Sequence, residues 1–373
     1  MGSNPIRPAV FLLIPAFFLG GAAHAAGLSL PEGVRPGAQR PQETGPKIPK
    51  QPPGKLFQVP PVVQRPLKKE QGPKVRVTSF DLKGAQDRPR FGIKVAAIQE
   101  ILAKQKAKKP GGFTVGELQD VANAVTKYYR EHGLILAQAY VPAQTVKKGV
   151  VQIDVLEGTL GRVLVQGNKS YSPKLLERPF EDLIGKPVTK NATESALLTL
   201  TDYPGLSLFG VFQPGQEVGT TDMVLKVQKE KKFEGRLRWD NHGIRETGER
   251  RVRMDLAWNN PTGAADQLKV TLQQTFLERN SHFYGFEYDR PIFRPGYAVQ
   301  IGYNENPFAV GGQFKGRDIA ADTRIGFLDF SRQFIRSREL NVKATIGLDK
   351  KWAETTVQSR PVSVDNLTVL KAK

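Results

Sequence analysis

The stretch RVRMDLAW, residues 251–258, alternates strictly between polar and apolar side chains. Successive side chains of an extended chain point to opposite faces, so Arg251, Arg253 and Asp255 share one face of a strand. The other face receives Val252, Met254, Leu256 and Trp258. One face therefore carries full charges and the other large apolar groups, a pattern that predicts a strand whose two sides meet different solvents.

The same alternation recurs through residues 231–373. The further segments with one polar and one apolar face are Gly235–Asp240, Leu268–Gln273, Tyr284–Asp289, Tyr297–Tyr303, Ile319–Phe327 and Leu340–Asp349. Aromatic residues such as Trp239 and Tyr303 sit at strand ends on the apolar face, and strands of about ten residues exceed the length typical of soluble proteins. An open sheet edge would leave unpaired amides in hydrocarbon, so a sheet in lipid must close into a barrel. The region predicts the first seven or eight strands of an antiparallel outer-membrane β-barrel, all-β in class, and a soluble sheet with one hydrated face remains the alternative.

The charged face of these strands would line the pore of such a barrel. Its cationic members are Arg236, Arg238, Arg251, Arg253, Lys269 and Lys343. In a barrel they predict a cationic lumen, whereas in a soluble sheet they would be ordinary solvated side chains.

A small α+β module occupies residues 74–157. Thr114 and Glu117 have capping-box spacing at the start of a helix, because each can bond the other's free backbone amide. Two predicted strands, Leu134–Val141 and Val150–Leu156, follow that helix. With an earlier strand and helix, the predicted order is β-α-α-β-β.

The order repeats in residues 158–230. Pro179 should interrupt the first helix of this copy, since proline cannot donate a helical hydrogen bond. Asn191 is predicted to cap the second helix, and strands are expected at Leu206–Phe212 and Met223–Val227. The chain thus carries two β-α-α-β-β modules before the long strands.

The N-terminal region has the pattern of an export signal and a tether. A positive charge at Arg7, an apolar core at Val10–Leu19 and small residues at Ala23 and Ala25 predict a cleaved signal peptide over residues 1–26. Residues 27–73 contain a proline every few residues, a composition typical of an extended, solvated linker.

Composition excludes several classes of protein. The chain has 373 residues and no cysteine, so disulfides and thiolate metal sites are absent, and no apolar run approaches the ~20 residues of a spanning helix. The 4 histidines are scattered without metal-ligand spacing. No nucleophile elbow or phosphate loop is complete, so we expect no enzyme activity, no metal and no cofactor. The net charge of +19 is spread along the chain rather than concentrated in a motif, which argues against a nucleic-acid partner.

Four stretches together resemble one known family. They are Tyr128–Gly158 (YYREHGLILAQAYVPAQTVKKGVVQIDVLEG), Gly219–Val227 (GTTDMVLKV), Asp240–Gly243 (DNHG) and Asn260–Leu268 (NPTGAADQL). In order and spacing they are similar to the haemolysin secretion/activation family, the outer-membrane transporters of two-partner secretion. The modules would be POTRA (polypeptide-transport-associated) domains.

This resemblance implies a fold, a location and partners. It implies two POTRA domains in the periplasm of a Gram-negative-type envelope and a barrel in the outer membrane. The family's Val-Arg-Gly-Tyr barrel motif does not occur here, so only the front part of such a barrel is expected. The implied function is export, and possible activation, of one large, unfolded exoprotein without nucleotide hydrolysis. The implied partners are that exoprotein and outer-membrane lipid, and the oligomeric state is left open.

An unfolded partner would be captured by adding its strand to a sheet edge, where main-chain hydrogen bonds supply affinity. The candidate segments are the second strands of the two modules. They comprise Ile135, Leu136, Ala137, Gln138, Ala139, Tyr140 and Val141 in the first, and Leu208, Phe209, Val211 and Phe212 in the second. The exposed backbone would act, and ordinary sheet core is the alternative role for each side chain. A periplasmic POTRA-type protein-binding scaffold with a soluble or non-closing β region is the alternative function.

Overall fold

The structure is a computed structural model that describes residues 56–58, 73–276 and 280–373. The predicted signal peptide and most of the proline-rich linker lie outside the described residues. The described chain forms three sheets of three, four and eight strands. Within these ranges, no helix combines the length and apolar character needed to cross a membrane.

The first module has the predicted β-α-α-β-β order. Its elements are β2 (Ser79–Lys83), α1 (Val95–Ala107), α2 (Val115–Glu131), β3 (Gln138–Tyr140) and β4 (Val150–Leu156). The sheet order is β2-β4-β3, with β2 parallel and β3 antiparallel to the central strand. Alternate residues of β4 are buried against the two helices, as its alternating sequence predicts.

The predicted capping box at the start of α2 is confirmed. The Thr114 hydroxyl accepts a hydrogen bond from the Glu117 amide at 3.3 Å, and the Glu117 carboxylate accepts one from the Thr114 amide at 2.8 Å. The Lys109 ammonium, together with that amide, lowers the pKa of Glu117. The capping box therefore fixes the residue at which α2 begins. Side chains of α2 form hydrogen bonds with β3.

The second module repeats the order. Its elements are β5 (Thr159–Gln166), α3 (Pro173–Glu177), α4 (Lys190–Thr201), β6 (Leu206–Pro214) and β7 (Thr220–Glu230). A 3-10 helix over Arg178–Leu183 follows α3, so Pro179 interrupts the first helix as predicted. The prediction of Asn191 as helix cap is wrong: α4 begins earlier, and the hydroxyl of Thr189 accepts a hydrogen bond from the Ala192 amide.

A fourth strand joins the sheet of the second module. It is β1 (Phe57–Gln58), and the sheet order is β1-β6-β7-β5. β1 comes from the region predicted to be a solvated linker, so this short segment differs from the expectation. The proline spacing predicts an extended chain, but it does not indicate whether that chain pairs with the edge strand of a sheet.

The C-terminal region is an antiparallel meander. Its eight strands are β8 (Phe233–Asp240), β9 (Arg251–Asn259), β10 (Gln267–Thr275), β11 (His282–Pro291), β12 (Tyr297–Ala309), β13 (Ile319–Arg336), β14 (Asn341–Val357) and β15 (Arg360–Ala372). Each strand pairs with its sequence neighbours, and β8 and β15 form the two edges. The predicted antiparallel sheet of seven or eight strands is confirmed with eight strands, and they are longer than the alternation alone indicated, reaching 18 residues in β13.

One end of this sheet rests on the second module. The Arg336 guanidinium at the end of β13 bonds both carboxylate oxygens of Asp202, at 2.7 and 2.8 Å. The Asn260 side chain in the β9–β10 turn donates to the Ser170 carbonyl at 2.8 Å. These turns therefore define the module end of the sheet, and the opposite turns point away from it.

Candidate capture edge and membrane-facing sheet

The edge of β6 accepts an extended segment of this same chain. β1 lies parallel to β6, with Phe57 opposite Gly210 and Gln58 opposite Val211. The Gly210 amide donates to the Leu56 carbonyl at 2.9 Å. The predicted capture segment in the second module is thus a strand whose outer edge forms backbone hydrogen bonds with added chain.

Side chains reinforce this pairing. Leu56 is only 5% exposed and belongs to the core of the second module. The Phe57 ring packs edge-on against Phe212, with ring centroids 5.8 Å apart. Leu208 and Phe212 are themselves buried core, whereas Phe209 and Val211 are half-buried on the other face of β6. The edge therefore offers both backbone groups and an apolar seat.

The corresponding edge of the first module is closed by its own helix. The Ala139 amide in β3 donates to the Thr126 hydroxyl of α2 at 2.8 Å, and Arg130 of α2 donates to the Ala137 carbonyl at 3.2 Å. Helix side chains therefore already bond two of the backbone groups that were expected to be free along Ile135–Val141. The strand is also shorter than predicted: Ile135, Leu136 and Ala137 precede β3, and Val141 follows it.

The outer face of the eight-stranded sheet is apolar from edge to edge. One row of directly paired residues crosses all eight strands: Phe233, Trp258, Leu268, Tyr288, Ile301, Leu328, Leu348 and Leu370. In the described residues, all but four of the exposed large apolar side chains lie in this sheet or its turns; the four are Val115, Val150, Ile184 and Val218. A contiguous apolar surface of this extent is characteristic of lipid contact.

The apolar band ends at the side remote from the modules. There a row of paired residues runs from Tyr284 through Glu305 and Arg324 to Trp352. Arg324 bonds Glu305 at 3.3 Å and Asp322 at 2.7 Å. Charges framed by aromatic residues mark the level at which a membrane interface would meet water.

The opposite face carries the predicted pore-lining residues, but most of them are paired with carboxylates. Arg251 lies 2.7 Å from Asp240, Arg253 lies 2.8 Å from Asp255, and Lys269 lies 2.7 Å from Asp289. Arg238 lies 3.7 Å from Asp240. Among the described residues, Arg236 and Lys343 form no ion pair.

This wall is therefore of mixed charge, and the expectation of a purely cationic lumen is wrong. The alternation identifies the face correctly, but it does not show that cross-strand register brings an acid beside each cation. Lys371, which sequence reasoning missed, bridges Asp329 at 2.8 Å and Asp349 at 2.7 Å.

Chemistry of other kinds finds no support in the part of the chain that the structure describes. No group of three or more His, Asp or Glu side chains is arranged to hold a metal ion there. The ring of His132 lies within 2.8 Å of the Tyr128 carbonyl and closes the end of α2.

Two domain patterns match this sequence in the order that the structure shows. Residues 75–158 match the ShlB-type POTRA domain, and residues 219–373 match the haemolysin secretion/activation protein ShlB/FhaC/HecB. These two regions of the chain are homologous to the haemolysin secretion/activation family and to its POTRA domain. Proteins similar to this chain include some that are named outer membrane transporters.

Individual relatives agree with these matches. The Heme/hemopexin transporter protein HuxB of Haemophilus influenzae is 26% identical over 242 residues, covering 63% of this chain and 42% of that protein. The Outer membrane transporter CdiB of Escherichia coli is 27% identical over 186 residues, covering 50% of this chain and 30% of that protein. The chain thus spans less than half the length of these curated relatives.

Solved structures show the same fold. CdiB from Escherichia coli superposes with a TM-score of 0.61 at 21% identity, covering 84% of this chain and 58% of that one. CdiB from Acinetobacter baumannii gives 0.52 at 19% identity, with coverage of 85% and 62%. The two modules followed by a long-stranded sheet are therefore a shared architecture. Members described by these names are transporters, not enzymes.

Proposed function

We propose that this protein captures an unfolded exoprotein at the β6 edge of its second POTRA domain and passes it into the outer-membrane barrel. The observation that carries this proposal is the seat of β1 on β6. It supports strand addition because the edge already binds an extended segment through its backbone. The partner would be a large secreted polypeptide in an extended state.

The occupant of the edge is short enough to be displaced. β1 has two residues, and each backbone hydrogen bond contributes only about 0.5–1.5 kcal/mol net. Burial of Leu56 adds roughly 1.5–3 kcal/mol. β6 spans 9 residues, so a longer incoming strand forms more bonds than β1 and competes with it.

The mixed-charge wall suits transit. A wall of one sign would bind oppositely charged segments tightly and slow their release. Pairs such as Arg253 with Asp255 and Lys269 with Asp289 reduce the net field of the wall. A polypeptide with both acidic and basic stretches would then slide along it without a deep binding site.

Site-specific photocrosslinking in cells that express the protein as it is encoded tests the capture step. A photoreactive residue at Phe209 lies on the open face of β6, and one at Asp81 lies on exposed β2 of the first module. We expect adducts with the exported polypeptide at position 209 but not at 81. Equal adducts at both positions, or none at 209, would contradict capture at this edge.

The membrane-facing assignment has its own test. Leu272 lies on the apolar face, whereas the Thr271 hydroxyl donates to Asp255 at 3.0 Å on the charged face. Leu272→Arg should cost about 2–4 kcal/mol near the midplane of a bilayer, and Thr271→Arg should be mild. The free energy of folding into lipid vesicles, measured for each variant and for the unchanged protein, gives both costs. Equal effects would favour the periplasmic scaffold with a soluble sheet.

A further inference from the structure

A cleft opens where the second module meets the outer face of the sheet. Its volume is about 570 Å³. Leu175 and Tyr203 contribute the module side, and Tyr288, Ile301 and Leu328 contribute the sheet side. The last three belong to the apolar row that crosses all eight strands, so the cleft is continuous with the lipid-facing surface.

Three arginines surround the same cleft. Arg178 comes from the module, Arg290 from the end of β11 and Arg294 from the β11–β12 turn. All three are exposed, and none of the residues that line the cleft is Asp or Glu. The Arg178 guanidinium donates a hydrogen bond to the Phe293 carbonyl, which holds it over the turn.

Nearby acidic groups do not neutralise these cations. Burial raises the pKa of Tyr203 to about 12, so its hydroxyl stays neutral. The carboxylate of Asp266 is fully buried and does not line the cleft, and it accepts hydrogen bonds from the Tyr288 hydroxyl at 2.9 Å and the Thr262 amide at 3.2 Å. The cleft therefore combines uncompensated positive charge with an apolar wall.

We propose that this cleft binds an anionic phospholipid of the periplasmic leaflet, with its phosphate among Arg178, Arg290 and Arg294 and its acyl chains along Ile301 and Leu328. Arginine forks bind phosphate oxygens through paired charged hydrogen bonds. Basic pockets at membrane level are sites for lipid headgroups. The cleft lies at the module end of the sheet, the level of the periplasmic headgroups in the proposed orientation.

Such a lipid would join two parts of the protein. Arg178 belongs to the POTRA domain, whereas Arg290 and Arg294 belong to the sheet. One phosphate between them would add a contact to those made by Arg336 and Asn260. Free phosphate would meet the arginines but would leave the apolar wall without a partner.

The test uses a double variant that carries both Arg290→Gln and Arg294→Gln. Its control is Arg317→Gln, because Arg317 lies on a turn at the opposite end of the sheet. The full chain in neutral detergent is titrated with phosphatidylglycerol, and native mass spectrometry measures the lipid retained. We expect the double variant to lose about tenfold or more in affinity, because charged hydrogen bonds are the strong ones. Arg317→Gln should retain wild-type affinity.

Three outcomes would overturn the proposal: equal retention by the double variant, equal affinity for phosphatidylcholine, or full displacement by millimolar inorganic phosphate. Circular dichroism of the same samples checks that the variants fold. The inference rests on the proposed membrane location, which detergent-against-salt extraction of the same envelopes tests separately. Release by salt would refute both, whereas detergent-only release without lipid retention would refute the lipid site alone.

Discussion

The two β-α-α-β-β modules share one element order but close their second strands in different ways. The edge of β3 is bonded by Thr126 and Arg130 from helix α2 of the same module. The edge of β6 is bonded by Leu56 and Phe57 from a distant segment. The first closure is part of the module's own fold, whereas the second is made by a two-residue strand that lies outside the module in sequence.

This difference indicates where a partner can be accepted. An edge closed by a packed helix opens only if the helix moves, which disrupts the hydrophobic core around Val125 and Tyr129. An edge closed by a two-residue strand opens at the cost of a few hydrogen bonds and one buried leucine. We therefore expect strand exchange at the second module rather than at the first.

Removing β1 from the β6 edge should give the largest change, which is a gain in the affinity of that edge for an added peptide. Leu56→Asp together with Phe57→Asp removes the apolar side chains of β1 but leaves the β6 edge intact, and a peptide copying residues 54–60 should then bind the full chain about tenfold more tightly or better. The reason is that an attached strand competes at an effective concentration in the millimolar range. Fluorescence anisotropy of the labelled peptide measures the gain.

A matched peptide controls this experiment. In it, the leucine and phenylalanine are both replaced by aspartate, so it keeps the length and loses the apolar contacts. It should bind neither form of the protein. Equal binding of the two peptides, or no gain in the variant, would show that β1 and β6 do not exchange.

The sequence predicted the architecture well because its signals are local. Alternation in β9, the Thr114–Glu117 box and the break at Pro179 each depend on residues close in sequence, and all three are confirmed. The site depends on distant pairings instead. Nothing local in Leu56–Gln58 indicates β6, and nothing in Lys371 indicates Asp329. The mixed charge of the sheet's polar face and the occupation of the β6 edge by β1 could therefore be found only from the three-dimensional structure.

Weakening the contact between the second module and the sheet should have a smaller effect. The module makes this contact through Asp202. Asp202→Asn leaves the 2%-exposed Arg336 side chain without its carboxylate. We expect a loss of roughly 1–3 kcal/mol in docking, between the values for exposed and buried pairs, because Asp202 itself is 40% exposed. The rate of limited proteolysis at the junction between the second module and the sheet should increase in the variant, and it measures this loss.

Glu194→Gln provides the comparison for that variant. Glu194 meets Arg338 at 3.2 Å, but this arginine side chain is 36% exposed, so the loss should be smaller. If both variants released the module equally, the Arg336 pair would have no special part in holding the second module to the sheet.

The smallest effect should come from the closed edge of the first module. Thr126→Val removes the hydroxyl that bonds the buried Ala139 amide and should destabilise this module by about 1–2 kcal/mol. Hydrogen exchange of peptides covering β3 measures the loss. Thr199→Val is the control, because its hydroxyl bonds only the Ser195 carbonyl within α4. The 54–60 peptide should still not bind the first module, since α2 continues to cover β3. Binding there would mean that one hydroxyl, not the packed helix, separates the closed edge from the exchangeable one.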